Sequence, residues 1–295
     1  MNLILQGLST QRHIVEQIAS LARPRSIVAI GEHAYRCLDI SYNDEVKSQI
    51  DIAAWAAKLD YAFIERRSLP DFKLVAMDMD STLITIECID EIADMQGLKP
   101  QVAEITEAAM RGELEFKESL TRRVALLKGL DASALQRVYD ERLQLSPGAE
   151  AMLQSMQASG MKSLLVSGGF TYFTDRMKQR LQLDYTHSNQ LEIVDGKLTG
   201  KVIGGIVDGE EKKLTVERVC KELGITPQQA IVMGDGANDL KMMSIAGLSV
   251  AFRAKPVVRA QADVALNFVG LDGILNLFHA VSYTHLRAHE TPEHL

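Results

Sequence analysis

Leu74-Val75-Ala76-Met77-Asp78-Met79-Asp80-Ser81-Thr82 is the stretch on which the fold of this chain turns. Its first four residues form a short apolar run that reads as a buried strand. The run ends on two aspartates two positions apart. Like charges at that spacing resist being ionised together. A divalent cation relieves the repulsion, leaving one carboxylate free to attack phosphorus and the other to move a proton. Alone, the string also fits a polar loop, so its surroundings decide.

Working outward from this stretch, apolar strands alternate with helical stretches from Phe72 onward. Lys162–Val166 reads as a second strand, ending in Ser167-Gly168-Gly169. Ala230–Met233 reads as a third, ending in Gly234-Asp235-Gly236-Ala237-Asn238-Asp239, and Leu248–Phe252 as a fourth. That alternation predicts an α/β fold, a doubly wound three-layer parallel sheet. Such sheets bind ligands beyond the carboxyl ends of their strands. Asp78, Ser167 and Asp235 each fall just past a strand, so three distant motifs converge on one edge. Between Glu87 and Pro147 helical spacing takes over (Val102, Ile105, Ala109; Leu120, Val124, Leu127; Leu135, Val138), which predicts a helical cap over about 88–147. Gln190–Val207 reads as a hairpin turning at Asp195-Gly196.

Residues 1–70 read as a separate small α+β module in the order β-α-β-β-α-β, the split pattern of ferredoxin-like domains. Its strands are expected at Leu3–Leu5, Ser26–Ile30, Tyr35–Ile40 and Tyr61–Glu65. One helix runs from a Ser9 cap to about Leu21, and another starts at Asn43 or Asp44. Leu69-Pro70-Asp71 is the natural linker, leaving 71–280 as the core with its cap. Residues 281–295 hold three of the seven histidines but lack the preceding apolar spacing, and read as a non-native extension.

At 295 residues the chain suggests one large or two smaller domains, and 46% apolar residues supply a sizeable core. The net charge is −7, with no dense Lys/Arg tract, which argues against a nucleic-acid partner. An acidic chain that acts on phosphate needs local positive charge, from a metal or from a few placed cations. Three cysteines, Cys37, Cys88 and Cys220, give no disulfide framework and fit a reducing compartment. No secretory signal and no apolar window of membrane length is visible, so the cytoplasm is expected and a membrane is not.

The motifs together resemble the phosphoserine phosphatases of the haloacid-dehalogenase superfamily. The resemblance runs from Phe72 to about Phe278. It rests on Asp78-Met79-Asp80-Ser81-Thr82, Ser167-Gly168-Gly169, Lys212 and Gly234–Asp239. It is narrowed by Glu87 and by Met110-Arg111-Gly112-Glu113-Leu114-Glu115-Phe116 running into Ser119-Leu120-Thr121-Arg122-Arg123-Val124. It implies Mg²⁺-dependent hydrolysis of O-phospho-L-serine, the last step of serine biosynthesis.

Under the resemblance Asp78 is the nucleophile and Asp80 the acid and base. Mg²⁺ is held by Asp78, Asp235 and the backbone carbonyl of Asp80. Ser167 and Gly168 contact phosphate, and Asn238 reaches the metal shell or the phosphate. Lys212, 23 positions before Asp235, neutralises the phosphoryl group, although from the residues alone Lys213 serves equally. Asp239 orients Lys212. Glu87 meets the substrate ammonium, Arg123 its carboxylate, and Met110 with Phe116 the apolar lid. By spacing alone Met110 and Phe116 fit a core, and Glu87 and Arg123 a charged surface. Residues 1–70 resemble an ACT-like module, as a packing unit, a homodimer interface or an amino-acid sensor. Met79 stands where Phe is common in the family, a change of packing and not of chemistry.

Overall fold

The computed structural model describes residues 1–65 and 67–278; residues 281–295, expected as a non-native tail, lie outside the described residues. The chain opens with β1 (Asn2–Gln6), α1 (Arg12–Ser20), β2 (Ser26–Gly31), β3 (Ala34–Leu38), α2 (Asp44–Ala56) and β4 (Asp60–Ile64). The four strands form one antiparallel sheet in the order β2-β3-β1-β4, the ferredoxin-like arrangement. β1 is buried along its whole length because both faces are used. Leu3 and Leu5 pack with Val15, Ile18 and Ile50 under the two helices, while Ile4 joins Ala62 and Ile64 in the larger core. Asn43 caps α2, its side chain accepting the Val46 N–H at 2.8 Å. Ser9 does not cap α1: the helix begins at Arg12 with Gln11 at the cap position and no side-chain capping bond.

The remainder runs β5 (Leu74–Met77), α3 (Cys88–Asp94), α4 (Lys99–Met110), α5 (Phe116–Leu126), α6 (Ser133–Glu141), α7 (Ala149–Ala158), β6 (Lys162–Phe170), α8 (Thr171–Leu181), β7 (Tyr185–Val194), β8 (Lys197–Ile203), α9 (Gly209–Glu222), β9 (Ala230–Gly234), α10 (Leu240–Met243), β10 (Leu248–Phe252), α11 (Pro256–Arg259) and β11 (Val264–Leu266). Its seven-stranded sheet has the order β11-β10-β9-β5-β6-β7-β8. Pairing is parallel from β11 to β7, and β8 folds back antiparallel on β7 as the expected hairpin. β5 lies in the middle. The chain first adds β6 and β7 on one side, then crosses to add β9, β10 and β11 on the other. That reversal opens a crevice at the carboxyl ends of β5 and β9, the place where such sheets bind ligands.

Side-chain alternation along the central strands serves two apolar layers. Val75, Met77, Ile231 and Met233 face one core, and Leu74, Ala76, Ala230 and Val232 the other. α3 to α6 form the cap over the crevice. β11, three residues long, is a strand the sequence reading did not anticipate. The two sheets meet where Asp60 accepts the backbone N–H groups of Asn267 at 2.7 Å, Phe268 at 2.9 Å and Val269 at 3.0 Å. Among the described residues no helix is long and apolar enough to cross a membrane.

Candidate active site

Asp78 begins the chain's exit from β5, its N–H still bonded to the Met233 carbonyl at 3.1 Å. Asp80 stays extended, and Ser81 then turns left-handed at φ +56°. The bend keeps Asp78 and Asp80 at the sheet edge and sends the chain up into the cap. Asp78 Oδ1 accepts the Met79 N–H at 2.7 Å, and Oδ2 lies 2.9 Å from Lys212 Nζ. Lys212 is fully buried and lies 2.7 Å from Asp239 Oδ1. Asp239 Oδ2 accepts the N–H groups of Asp235 at 3.1 Å and Gly236 at 3.0 Å. One ammonium therefore ties the loop after β5 to the loop after β9. Gly234 must lack a side chain, because a Cβ there would overlap the Asp239 carboxylate.

Lys212 projects from the first turn of α9, a helix capped by Asp208, whose Oδ1 accepts the Glu211 N–H at 2.9 Å. Burial works against the ammonium, but Asp239 and Asp78 outweigh it and hold Lys212 above its ordinary value. Burial raises the Asp78 carboxyl well above the carboxylate range against the pull of Lys212. Asp80 is pushed up to about 7 by burial and then by Glu87, and Asp235 to about 7 by burial and then by Asp239.

Asp78, Asp235 and Asp239 each offer an oxygen, all within 4.8 Å of one another. When all three are ionised, their charges meet one from Lys212, a deficit that a divalent cation fills. Hard oxygen donors suit such an ion, so the site fits a metal. Asp239 is the least available of the three, with Lys212 on one oxygen and two backbone N–H groups on the other, whereas each Asp78 oxygen has one partner. The Asp80 side chain turns away, its Oδ1 accepting the Cys88 N–H at 3.3 Å. Thr82 steadies Asp235, its hydroxyl donating to Oδ1 at 3.3 Å.

Ser167 is buried within β6, which runs on to Phe170 and does not stop at Val166 as expected. Its hydroxyl accepts the Gly169 N–H at 2.9 Å. A Cβ on Gly169 would lie 2.7 Å from Asp80 Oδ2, so only glycine permits this approach. A Cβ on Gly168 would lie 3.0 Å from Phe116 Cζ, which sets the cap against this part of β6. Asn189 fixes this irregular stretch of β6, donating to the Gly168 carbonyl at 2.7 Å and accepting the Val207 N–H at 2.8 Å. Asn238 lies beside Asp239 in the short turn after β9, close against Gly209 at the start of α9.

In the cap, Glu87 accepts the Ser81 hydroxyl at 2.7 Å. It is open to solvent, yet protein surrounds it closely enough that burial raises its carboxyl. Arg123 on α5 is lowered by burial, which Asp90, Glu87 and Asp80 facing it only partly offset. Its Nε is buried with no hydrogen-bond partner among the described residues. Met110 ends α4; its side chain lies outside the described residues. The structure thus brings Asp78, Asp80, Glu87, Phe116, Arg123, Ser167, Gly168, Lys212, Asp235, Asn238 and Asp239 to one crevice. Thr82, Asn189 and Asp208 join them without having been singled out. Asp208 had a readable signal, an aspartate followed by Glu210 and Glu211 at a helix start; Asn189 had none.

The haloacid dehalogenase-like hydrolase family model matches residues 72–247. A phosphoserine phosphatase from Polaromonas sp. strain JS666 is 59% identical over 214 residues, 71% of this chain and 91% of that protein. A HAD-family hydrolase from Salmonella enterica serovar Typhi superposes with a TM-score of 0.86 at 33% identity, covering 95% of this chain and 100% of that one. The unliganded crystal structure of a probable phosphoserine phosphatase from Vibrio cholerae gives a TM-score of 0.80 at 37% identity, covering 94% of this chain and 85% of the other.

Proposed function

The chain belongs to the haloacid dehalogenase-like hydrolases, and from that premise we propose that it hydrolyses O-phospho-L-serine to L-serine and phosphate through an aspartyl-phosphate on Asp78. The observation that carries this reading is the buried Asp78–Lys212–Asp239 array. An ammonium pinned beside a carboxylate nucleophile, in a site short of positive charge, is built to receive a dianion.

Asp78 attacks phosphorus while Lys212, Ser167, the Gly168 N–H and Asn238 take the phosphoryl oxygens. Asp80, whose carboxyl burial and Glu87 push up to about 7, exchanges a proton readily near neutral pH and gives it to the departing serine oxygen. It then takes a proton from the water that attacks the aspartyl-phosphate. Asp239 holds Lys212 in line and stays out of the chemistry. Glu87 takes the substrate ammonium and Arg123 its carboxylate, while Met110 and Phe116 close the lid over them. Asp78, Asp235 and the Asp80 carbonyl would hold Mg²⁺, which would supply the charge that lets an anionic nucleophile approach an anionic phosphate. Residues 1–70 act as a packing or dimerisation module, and 71–280 as the catalytic unit with its cap over about 88–147. Three buried free thiols support a reducing cytoplasmic setting.

Phosphate release from O-phospho-L-serine in Mg²⁺, set against EDTA and Asp78→Asn, tests the reading. Release that needs both the metal and Asp78 supports it. Release only from other phosphomonoesters removes the substrate assignment and keeps the phosphatase, and release from no ester overturns both.

A further inference from the structure

A second cavity, of about 690 Å³, lies between the N-terminal sheet and the outer edge of the seven-stranded sheet. That is the size of a small-molecule site, and none of the residues assigned to phosphate chemistry lines it. α2 and β4 form one wall, and α11 with the segment after it forms the other.

The polar groups of this cavity are unevenly committed. Asp60 is taken up by the backbone of Asn267, Phe268 and Val269. Asp263 accepts the Ser249 N–H at 2.8 Å and its hydroxyl at 2.7 Å, and Asp51 faces the Tyr61 hydroxyl. The two cations are not committed. The side chains of Lys47 and Arg259 make no ion pair or hydrogen bond among the described residues. Arg259 instead lies over the Trp55 ring, 4.7 Å from its centroid. A guanidinium held over a ring by its charge still has N–H groups to offer a ligand.

Aromatic side chains supply the remaining surface. Trp55 packs on Phe268 at 5.3 Å and Tyr42 on Phe63 at 4.9 Å, yet Trp55 stays 51% and Tyr42 44% exposed. Two unmatched cations beside exposed rings fit a flat, negatively charged organic molecule better than a free metal ion or a cation. The cavity also reaches the catalytic crevice through α11. Arg259 ends that helix, and Lys255, at its start, donates its N–H to the Asp235 carbonyl at 3.2 Å.

We propose that this seam binds a planar aromatic anion, stacked on Trp55 and Tyr42 and held by Lys47 and Arg259, and that its occupancy is felt at Asp235 through α11. The site does not depend on which phosphate ester the crevice hydrolyses.

Trp55 is the single tryptophan of the chain, so its fluorescence reports on this cavity alone. The full chain is titrated with 8-anilinonaphthalene-1-sulfonate, with excitation of Trp55 and detection of energy transfer to the probe. Saturable one-to-one transfer is expected, weakened about tenfold or more in Lys47→Met and in Arg259→Met, as loss of a charged hydrogen bond implies. Asp78→Asn should bind as the parent does, which separates this cavity from the crevice. Naphthalene-2-sulfonate should compete, and uncharged naphthalene-2-methanol should not. The bound probe should shift KM for the phosphate ester in the parent and leave it unchanged in Lys47→Met. Absent transfer, equal binding by both methionine variants, or equal competition by the neutral alcohol would overturn the site. An unmoved KM at saturation would overturn the link through α11.

Discussion

Asp239 carries the heaviest structural demand of any single residue in the crevice. One oxygen holds Lys212 at 2.7 Å and the other accepts two backbone N–H groups. Asparagine can keep the first contact only by turning an amide N–H₂ toward two N–H donors. Asp239→Asn should therefore destabilise the fold by roughly 2–4 kcal/mol, the cost of leaving buried donors unpaired, and lower kcat at least tenfold. Urea unfolding and steady-state kinetics check both values. Arg123 makes a different kind of demand, since its buried Nε awaits a partner. Arg123→Ala should raise KM for phosphoserine roughly tenfold to a hundredfold, the worth of charged hydrogen bonds. It should barely move KM for an aryl phosphate, which has no amino-acid carboxylate. Equal changes for both substrates would remove Arg123 from substrate recognition.

At the scale of elements, the cap meets the core through Phe116 over Gly168 and through Lys117, whose Nζ lies 3.0 Å from Asp208 Oδ2. Asp208 also caps α9, the helix that carries Lys212, so closure of the lid and placement of the lysine share one carboxylate. Asp208→Asn keeps an oxygen for the cap and loses the ion pair. It should raise KM for phosphoserine a few-fold, as should Lys117→Met, and the double variant should do no more than either alone. Additive effects would show that the two residues act independently. Asp208→Ala, which also loses the helix cap, should cost about 1 kcal/mol of stability as well.

Most of these elements were legible because their sequence period is unambiguous. Leu74–Met77 and Ala230–Met233 are apolar runs too short for helices and end in charged turns, and α2 announces itself with Asn43. β11 was not legible, because three residues of Val-Ala-Leu carry no period and become a strand only by lying beside β10. Ser9 misled because a good capping residue two positions early outweighs, on paper, a glutamine that caps nothing. Asn189 was invisible for another reason: its two bonds reach Gly168 and Val207, partners that only the folded sheet brings together. The seam cavity likewise belongs to two surfaces far apart in sequence.

For the molecule as a whole, the crevice concentrates negative charge that folding alone does not balance. Without metal the Asp80 and Asp235 carboxyls stand near 7, above their values in an unfolded chain. The folded state then binds those protons more tightly than the unfolded state does. Their stabilising contribution is complete below the ordinary carboxylate range and fades as pH rises toward 7. A cation prefers the ionised carboxylates and restores the loss. Mg²⁺ should thus raise Tm, and by more at pH 8 than at pH 5, with EDTA reversing the gain. A gain that is larger at pH 5 would contradict this charge balance.

Every role assigned in the crevice depends on Asp78 as the phosphoryl acceptor. The direct measurement is acid quenching of the Mg²⁺-loaded chain during turnover of phosphate-labelled phosphoserine, followed by peptide mapping. One labelled acyl-phosphate on the peptide containing Asp78, lost on treatment with hydroxylamine and absent from Asp78→Asn, is the predicted result. Full turnover with no label on that peptide, or turnover persisting in Asp78→Asn, would contradict it.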